Sequence, residues 1–170
     1  MMKLLRLIFF LLVALGIVQS ILDYPQLPDK VAIQFSPSGH PTSWVSKAAF
    51  LSINIIEILV LVTIFIIMPR FISKIPTKYW NFPNRDYWLS ESKRNQTFQI
   101  ITKHLLVFII GMLLFFEIIN YYLIKMNLTP SYAVSMHTVS FFIIGFVLFV
   151  ILWGMLLVLR FARTGASENS

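Results

Sequence analysis

Four apolar stretches, residues 4–22, 48–68, 100–124 and 135–159, dominate this 170-residue sequence. Each is long enough to cross a hydrocarbon layer of roughly 30 Å, which takes about 20 residues of helix. Lipid offers backbone N–H and C=O groups no hydrogen-bond partner, so segments of this length cross as helices, which pair those groups internally. The pattern predicts an all-α integral membrane protein, a bundle of four transmembrane helices forming one membrane domain over residues 1–170. Hydrophobic residues make up 58% of the chain and charged residues 12%, against roughly 45–50% and 25% in soluble proteins. A soluble domain this small would leave much of that apolar surface in water. A soluble enzyme and a disordered chain are therefore excluded. The absence of cysteine removes disulfides, thiolate metal sites and a thiol nucleophile.

The net charge of +7 would suit nucleic acid only if the bases formed one face of a folded surface. They sit instead at the ends of the apolar runs, so no nucleic-acid partner is expected and the partner is the lipid bilayer. Of the 14 Lys and Arg residues, Lys30, Lys47 and Lys125 fall on one side of the four spans and the rest on the other. The positive-inside bias then predicts a plasma (inner) membrane protein with both termini and the 70–97 loop in the cytoplasm. Residues 23–47 and the 125–134 turn face outward. The basic start and short apolar core of the first span also resemble a signal peptide, with a cleavage site after Val18-Gln19-Ser20. The full apolar run over 4–22 favours a retained anchor.

The loops carry specific patterns. In residues 23–47, Pro25, Pro28, Pro37 and Pro41 forbid a long helix, while Val31, Ile33 and Phe35 alternate as a short strand does. Ser38-Gly39 after Pro37 signals a turn. A small extracytoplasmic cap with a strand and a turn is expected between helices 1 and 2. Trp44 is expected to anchor the entry of helix 2 at the interface. Pro69 is expected to end that helix. In the 70–97 loop, Tyr79, Trp80, Phe82, Tyr87 and Trp88 interleave with Lys78, Arg85, Lys93 and Arg94. Between two membrane spans this mixture reads as an interfacial segment that contacts anionic lipid headgroups. Asn81-Phe82-Pro83-Asn84 is a turn, and Ser90 is the expected cap of the third span. Residues 160–170 form a polar cytoplasmic tail.

These two loops also carry a resemblance. The segment LPDKVAIQFSPSGHPTSWVSK is similar to a bacterial membrane domain of unknown function that opens the SdpI-type immunity proteins. The matching positions are Leu27, Pro28, Phe35, Gly39, Pro41 and Lys47. YWNFPNRDYWL resembles a stretch found in small four-span members of this group, through Tyr79, Trp80, Asn81, Pro83, Asn84, Tyr87 and Trp88. The resemblance implies a four-span membrane protein that binds or signals at its outer face. Two departures limit what it carries. Gln34 stands at the strand position where relatives often have His, so a metal or proton role of that His does not transfer. The chain also lacks the additional C-terminal spans of the immunity proteins.

Charges inside lipid are costly, roughly 2.5–3.5 kcal/mol each on insertion scales, and so mark candidate functional positions. Glu57 lies near the middle of the second span with Asn54 one turn before it. Glu117 lies in the outer half of the third span with Asn120 one turn beyond, and His137 opens the fourth. Antiparallel packing of spans two and three would bring Glu57 and Glu117 to similar depths, a cluster suited to protons or cations. Equally, the carboxyls serve as hydrogen-bonding glue through Asn54, Asn120, Thr63 or Tyr122. His40 reads as a solvated loop residue and His104 as an interfacial one. Gly111, Gly145 and Gly154 would permit close helix contact, and Asn127-Leu128-Thr129 is a glycosylation acceptor placed too near the membrane to serve.

No metal signature, phosphate loop or nucleophile elbow is present. The chain reads as a non-enzymatic protein without cofactor or resident metal. It is expected to bind or sense a peptide or protein at the outer face. The alternatives are proton- or cation-coupled transport through Glu57 and Glu117, and an intramembrane enzyme using His137 and Glu117.

Overall fold

A computed structural model describes residues 2–36, 40–129 and 136–163, with side chains from residue 138 in the last stretch. Its helices are α1 (Met2–Asp23), α2 (Lys47–Ile72), the one-turn α3 (Arg85–Trp88), α4 (Arg94–Leu128) and α5 (Met136–Ala162). Strands β1 (Lys30–Phe35) and β2 (Pro41–Ser46) form an antiparallel two-stranded sheet between α1 and α2. Four of the helices are long and apolar enough to cross a membrane. The chain is a multi-pass membrane protein. One end of the bundle carries the β-hairpin and the other carries the 73–93 loop. They are termed the hairpin end and the loop end.

α4 is the central helix. It packs against α1 and α2 on one side and α5 on the other. Phe9 of α1, Leu61 and Phe65 of α2, and Leu106, Ile109 and Leu113 of α4 form the buried core of the first group. The rings of Phe9 and Phe65 stack with centroids 3.8 Å apart. The α4–α5 seam is aromatic, pairing Phe115 with Phe146 at 4.3 Å and Phe108 with Trp153 at 4.7 Å. A Cβ on Gly111 would overlap the ring of Phe149, so this glycine admits the ring to the seam. Gly145 and Gly154 have no such neighbour. Trp153 Nε1 donates to the His104 carbonyl at 2.8 Å. The outward faces of α1 and α5 are lined with exposed Leu, Ile, Val and Phe, among them Phe141, 72% exposed. Lipid is the solvent that makes such a surface stable.

Three local expectations are corrected. α2 continues through Pro69 to Ile72. The proline removes only one intrahelical bond when it stands in the last turn, and Arg70 Nη1 donates to the Ile66 carbonyl at 3.3 Å. Ser90 does not cap α4. Lys93 occupies that position, and the Ser90 hydroxyl donates instead to the Tyr87 carbonyl at 2.8 Å. Trp44 stands on β2 and not at the helix entry, where Ser46 caps α2 by accepting from the Ala49 amide at 3.1 Å. α4 also begins earlier than its apolar run, and its 35 residues extend about 50 Å. Its polar first turns therefore project beyond the hydrocarbon layer at the loop end.

Candidate functional site

Three groups of candidate residues take defined places. The first is the hairpin. Leu27 is buried with Val31, Phe50 and Ile124, which seats the hairpin on α2 and α4. Lys47 closes its base: the backbone N–H donates to the Asp29 carbonyl at 3.0 Å, and Nζ reaches the Leu27 carbonyl at 3.4 Å. That ammonium also sits 4.9 Å from the centre of the Tyr24 ring, a cation–π contact. Pro28 is exposed beside this base, and Phe35 pairs with Pro41 at the start of β2. Gln34 is exposed at a register shift in β1. Near the tip the Ser36 amide donates to the His40 carbonyl at 2.8 Å, and His40 is exposed. Gly39 lies outside the described residues.

The free edge of β1 is occupied by a side chain from α4. Asn127 Oδ1 accepts from the Ala32 amide at 2.8 Å, and its Nδ2 donates to the Ala32 carbonyl at 2.9 Å. Nδ2 also donates to Leu123 one turn back at 2.8 Å. The primary amide thus imitates a neighbouring strand at one residue. An amide engaged in this way is not available as a glycan acceptor. β2 is left as the open edge of the sheet, with Trp44 53% exposed beside a cleft of about 510 Å³ lined by Lys30, Trp44, Val45 and Ser46.

The second group lies within the bundle. Asn54 is buried and borders a narrow crevice with Ser20, Asp23 and Tyr24. Glu57 follows one turn later on α2, half-buried and within electrostatic reach of Glu117 on α4. The Glu117 carboxyl rests directly on Gly16 of α1, where a Cβ would overlap it. The pair therefore sits where α1, α2 and α4 meet. Among the described residues no cation and no hydrogen-bond donor reaches either carboxyl. Asn120 is half-buried one turn beyond Glu117. The His137 side chain lies outside the described residues. Among those described, no three His, Cys, Asp or Glu side chains converge as a metal site.

The third group, the aromatic loop motif, ties the loop to the end of α5. Asn84 adopts the left-handed conformation (φ 52°), and its Nδ2 donates to the carbonyls of Phe161 at 3.2 Å and Ala162 at 2.8 Å. Trp88 is buried, and its Nε1 donates to the Phe161 carbonyl at 2.9 Å. Helix C-termini leave carbonyls without intrahelical partners, and these two side chains supply them. Trp88 is thus part of the loop-end core and not a lipid-facing anchor. Its own carbonyl accepts from the Thr97 hydroxyl at 2.6 Å, which links α3 to α4. Trp80 donates to Ile75 at 3.3 Å and packs near Phe82 and Phe98. Pro83 and Tyr87 are half-buried, with Tyr87 edge-on to Trp88, while Tyr79 and Asn81 are exposed.

Residues 11–58 match the model of a family described as "Domain of unknown function (DUF1648)". The match covers 48 of the 170 residues. It spans the second half of α1, the whole hairpin and the first half of α2, ending one residue beyond Glu57. Gly16, the hairpin, Asn54 and Glu57 thus lie within the matched segment, whereas the 73–93 loop, α4 and α5 lie outside it. No curated protein and no solved structure matches the chain significantly.

Gly16, Asn127 and Trp153 were not legible as site residues. Each acts through a partner on another helix or strand, and a residue's own neighbours carry no trace of that. Asn127 alone offered a signal, as an amide just past the end of an apolar run.

Proposed function

We propose that the chain is a non-enzymatic membrane protein that binds an extended peptide or protein segment at its hairpin end, which faces outward. The orientation rests on the distribution of Lys and Arg, three at the hairpin end and eleven of 14 at the loop end. The observation that carries the reading is the asymmetry of the sheet. Asn127 covers β1, while among the described residues nothing hydrogen-bonds to the outer edge of β2 between Thr42 and Val45. An unpaired strand edge is a template for an added strand, and an adjacent aromatic gives the added chain a side-chain contact. Trp44 and its cleft occupy that place. The hairpin is also the centre of the matched domain.

The test is genetic and chemical. In a strain deleted for the gene, exchange of residues 27–41 for a neutral linker, or Trp44→Ala, is expected to abolish complementation. A photo-crosslinker at position 44 is expected to yield an adduct that one at exposed Tyr79 does not. Full complementation by the linker variant would overturn the reading.

A second reading is favoured by a separate observation, the Glu57–Glu117 pair on Gly16. Two carboxyls at one helix junction, with no cation among the described residues, suit a proton or a small cation. Reconstituted in liposomes, a cation or proton flux should disappear in the Glu57→Gln, Glu117→Gln double variant. A flux equal to that of the unaltered protein would exclude these carboxyls from it.

A further inference from the structure

We propose that the loop-end half of the α4–α5 seam is a binding site for an anionic phospholipid, with Lys103 and Arg160 holding its phosphate and an acyl chain lying along the seam. The head of this site is a cleft of about 750 Å³ whose lining includes Gln96, Gln99, Lys103 and Arg160. Lys103 and His104 also line a second cleft of about 390 Å³, which runs between α4 and α5 and is walled by Val107, Leu152 and Leu156. A third, of about 300 Å³, continues the track and shares Gly145 and Phe149 with the second. The shared lining residues join these clefts into one open groove. Residues 99, 103, 107 and 111 climb one face of α4, and 160, 156, 152 and 145 climb one face of α5. Gly145 lines both apolar clefts and leaves open space where a side chain would start.

Charge and depth select the occupant. Lys103 stands nine residues into α4, about 14 Å from its start, where polar helix gives way to the apolar run beginning at Ile100. That is the depth of a phosphate in the near leaflet. Arg160 lines the same cleft from α5, and both bases act electrostatically on His104. The ion pair found among the described residues is Arg85–Asp86, in the loop, so no carboxylate there neutralises Lys103. Basic side chains gathered between transmembrane helices attract anionic headgroups, and guanidinium and ammonium groups both bind phosphate oxygens. A free phosphate would use only the head cleft, whereas the apolar track below it fits a chain attached to that phosphate.

Native mass spectrometry of the full chain, released from mixed micelles of phosphatidylglycerol and phosphatidylcholine, tests this. The anionic lipid is expected to be retained at least tenfold over the zwitterionic one. Lys103→Gln with Arg160→Gln should reduce that preference to under twofold, while Lys74→Gln with Lys78→Gln, bases that do not line the cleft, should leave it intact. Because Arg160 also packs over Trp88, Lys103→Gln alone is the second variant, with about a threefold loss expected. Gly145→Leu, which fills the open track, should weaken lipid retention at least fivefold. Equal retention of both lipids, or a preference that survives Lys103→Gln unchanged, would overturn the proposal. So would glycerol phosphate competing as well as the intact lipid while Gly145→Leu has no effect, since the site would then hold only an anion.

Discussion

Replacing Asn127 with leucine separates the hairpin's attachment from its burial. Leucine has the same branched shape and number of side-chain heavy atoms, so no cavity forms, but it removes the acceptor for the Ala32 amide and the donor to the Ala32 carbonyl. Ala32 is 3% exposed, so both groups lose a partner where water has little access. An orphaned buried group costs about 1–3 kcal/mol, and partial re-entry of water puts the pair at about 2–5 kcal/mol. That penalty falls on the opening of the hairpin rather than on the helices, whose backbone bonds are internal. The assay is amide hydrogen exchange at Ala32 in detergent micelles, which reads the local opening equilibrium. At about 1.4 kcal/mol per tenfold, protection should fall between about 30-fold and a few thousand-fold. Amides in the middle of α2 and α4 should keep their protection, and exposed Thr129→Ala should change nothing. A fall of less than about threefold at Ala32 would refute the reasoning, because the hairpin would then be held by the Leu27–Phe50–Ile124 cluster alone.

Other substitutions read the remaining contacts. Gly16→Ala places a Cβ in the Glu117 carboxyl and should cost about 1–3 kcal/mol by overpacking; thermal denaturation should show Glu117→Ala restoring most of it, and strictly additive effects would refute the contact. Asn84→Gly keeps the left-handed turn but loses the bonds to Phe161 and Ala162, so proteolysis after Arg163 should quicken. Asn84→Ala should be worse still by about 1 kcal/mol, the cost of an ordinary side chain in that conformation; equal effects would show that the backbone is unstrained there. Trp153→Phe removes the bond to His104 and should lower stability by about 1 kcal/mol, visible as a lower denaturation midpoint in detergent.

The helices were legible because lipid imposes a length, and a run of apolar residues that long has few other fates. Their ends were not. α2 passes Pro69 because a proline in the last turn removes little, and α4 starts at Arg94 because polar residues remain good helix formers once they leave the hydrocarbon layer. β1 announced itself through Val31, Ile33 and Phe35. β2 did not, because Pro41-Thr42-Ser43-Trp44-Val45-Ser46 has no apolar alternation and gains its strand geometry by pairing with β1. The depth of Glu57 and Glu117 could be counted along two antiparallel spans, and the two carboxyls do come within electrostatic reach of each other. Their seat on Gly16 could not be counted, since nothing in α1 indicates which of its faces meets α4.

A chain with so few polar side chains has limited means of pairing the backbone groups left open at the ends of its elements, and its use of them is consistent. Asn84 and Trp88 serve the last carbonyls of α5, Asn127 serves the edge of β1, Lys47 the base of the hairpin, and Thr97 the end of α3. Each of these groups thereby removes a penalty that would otherwise fall on the backbone. Glu57 and Glu117 break this pattern. Among the described residues they serve no backbone group and meet no cation, yet they stand together at the junction of three helices. Stability gives no reason to keep two carboxyls there. A single substitution to glutamine at either position, which retains shape and hydrogen-bonding capacity, should therefore leave the denaturation midpoint unchanged or raised. A large loss of stability would instead make the pair part of the scaffold.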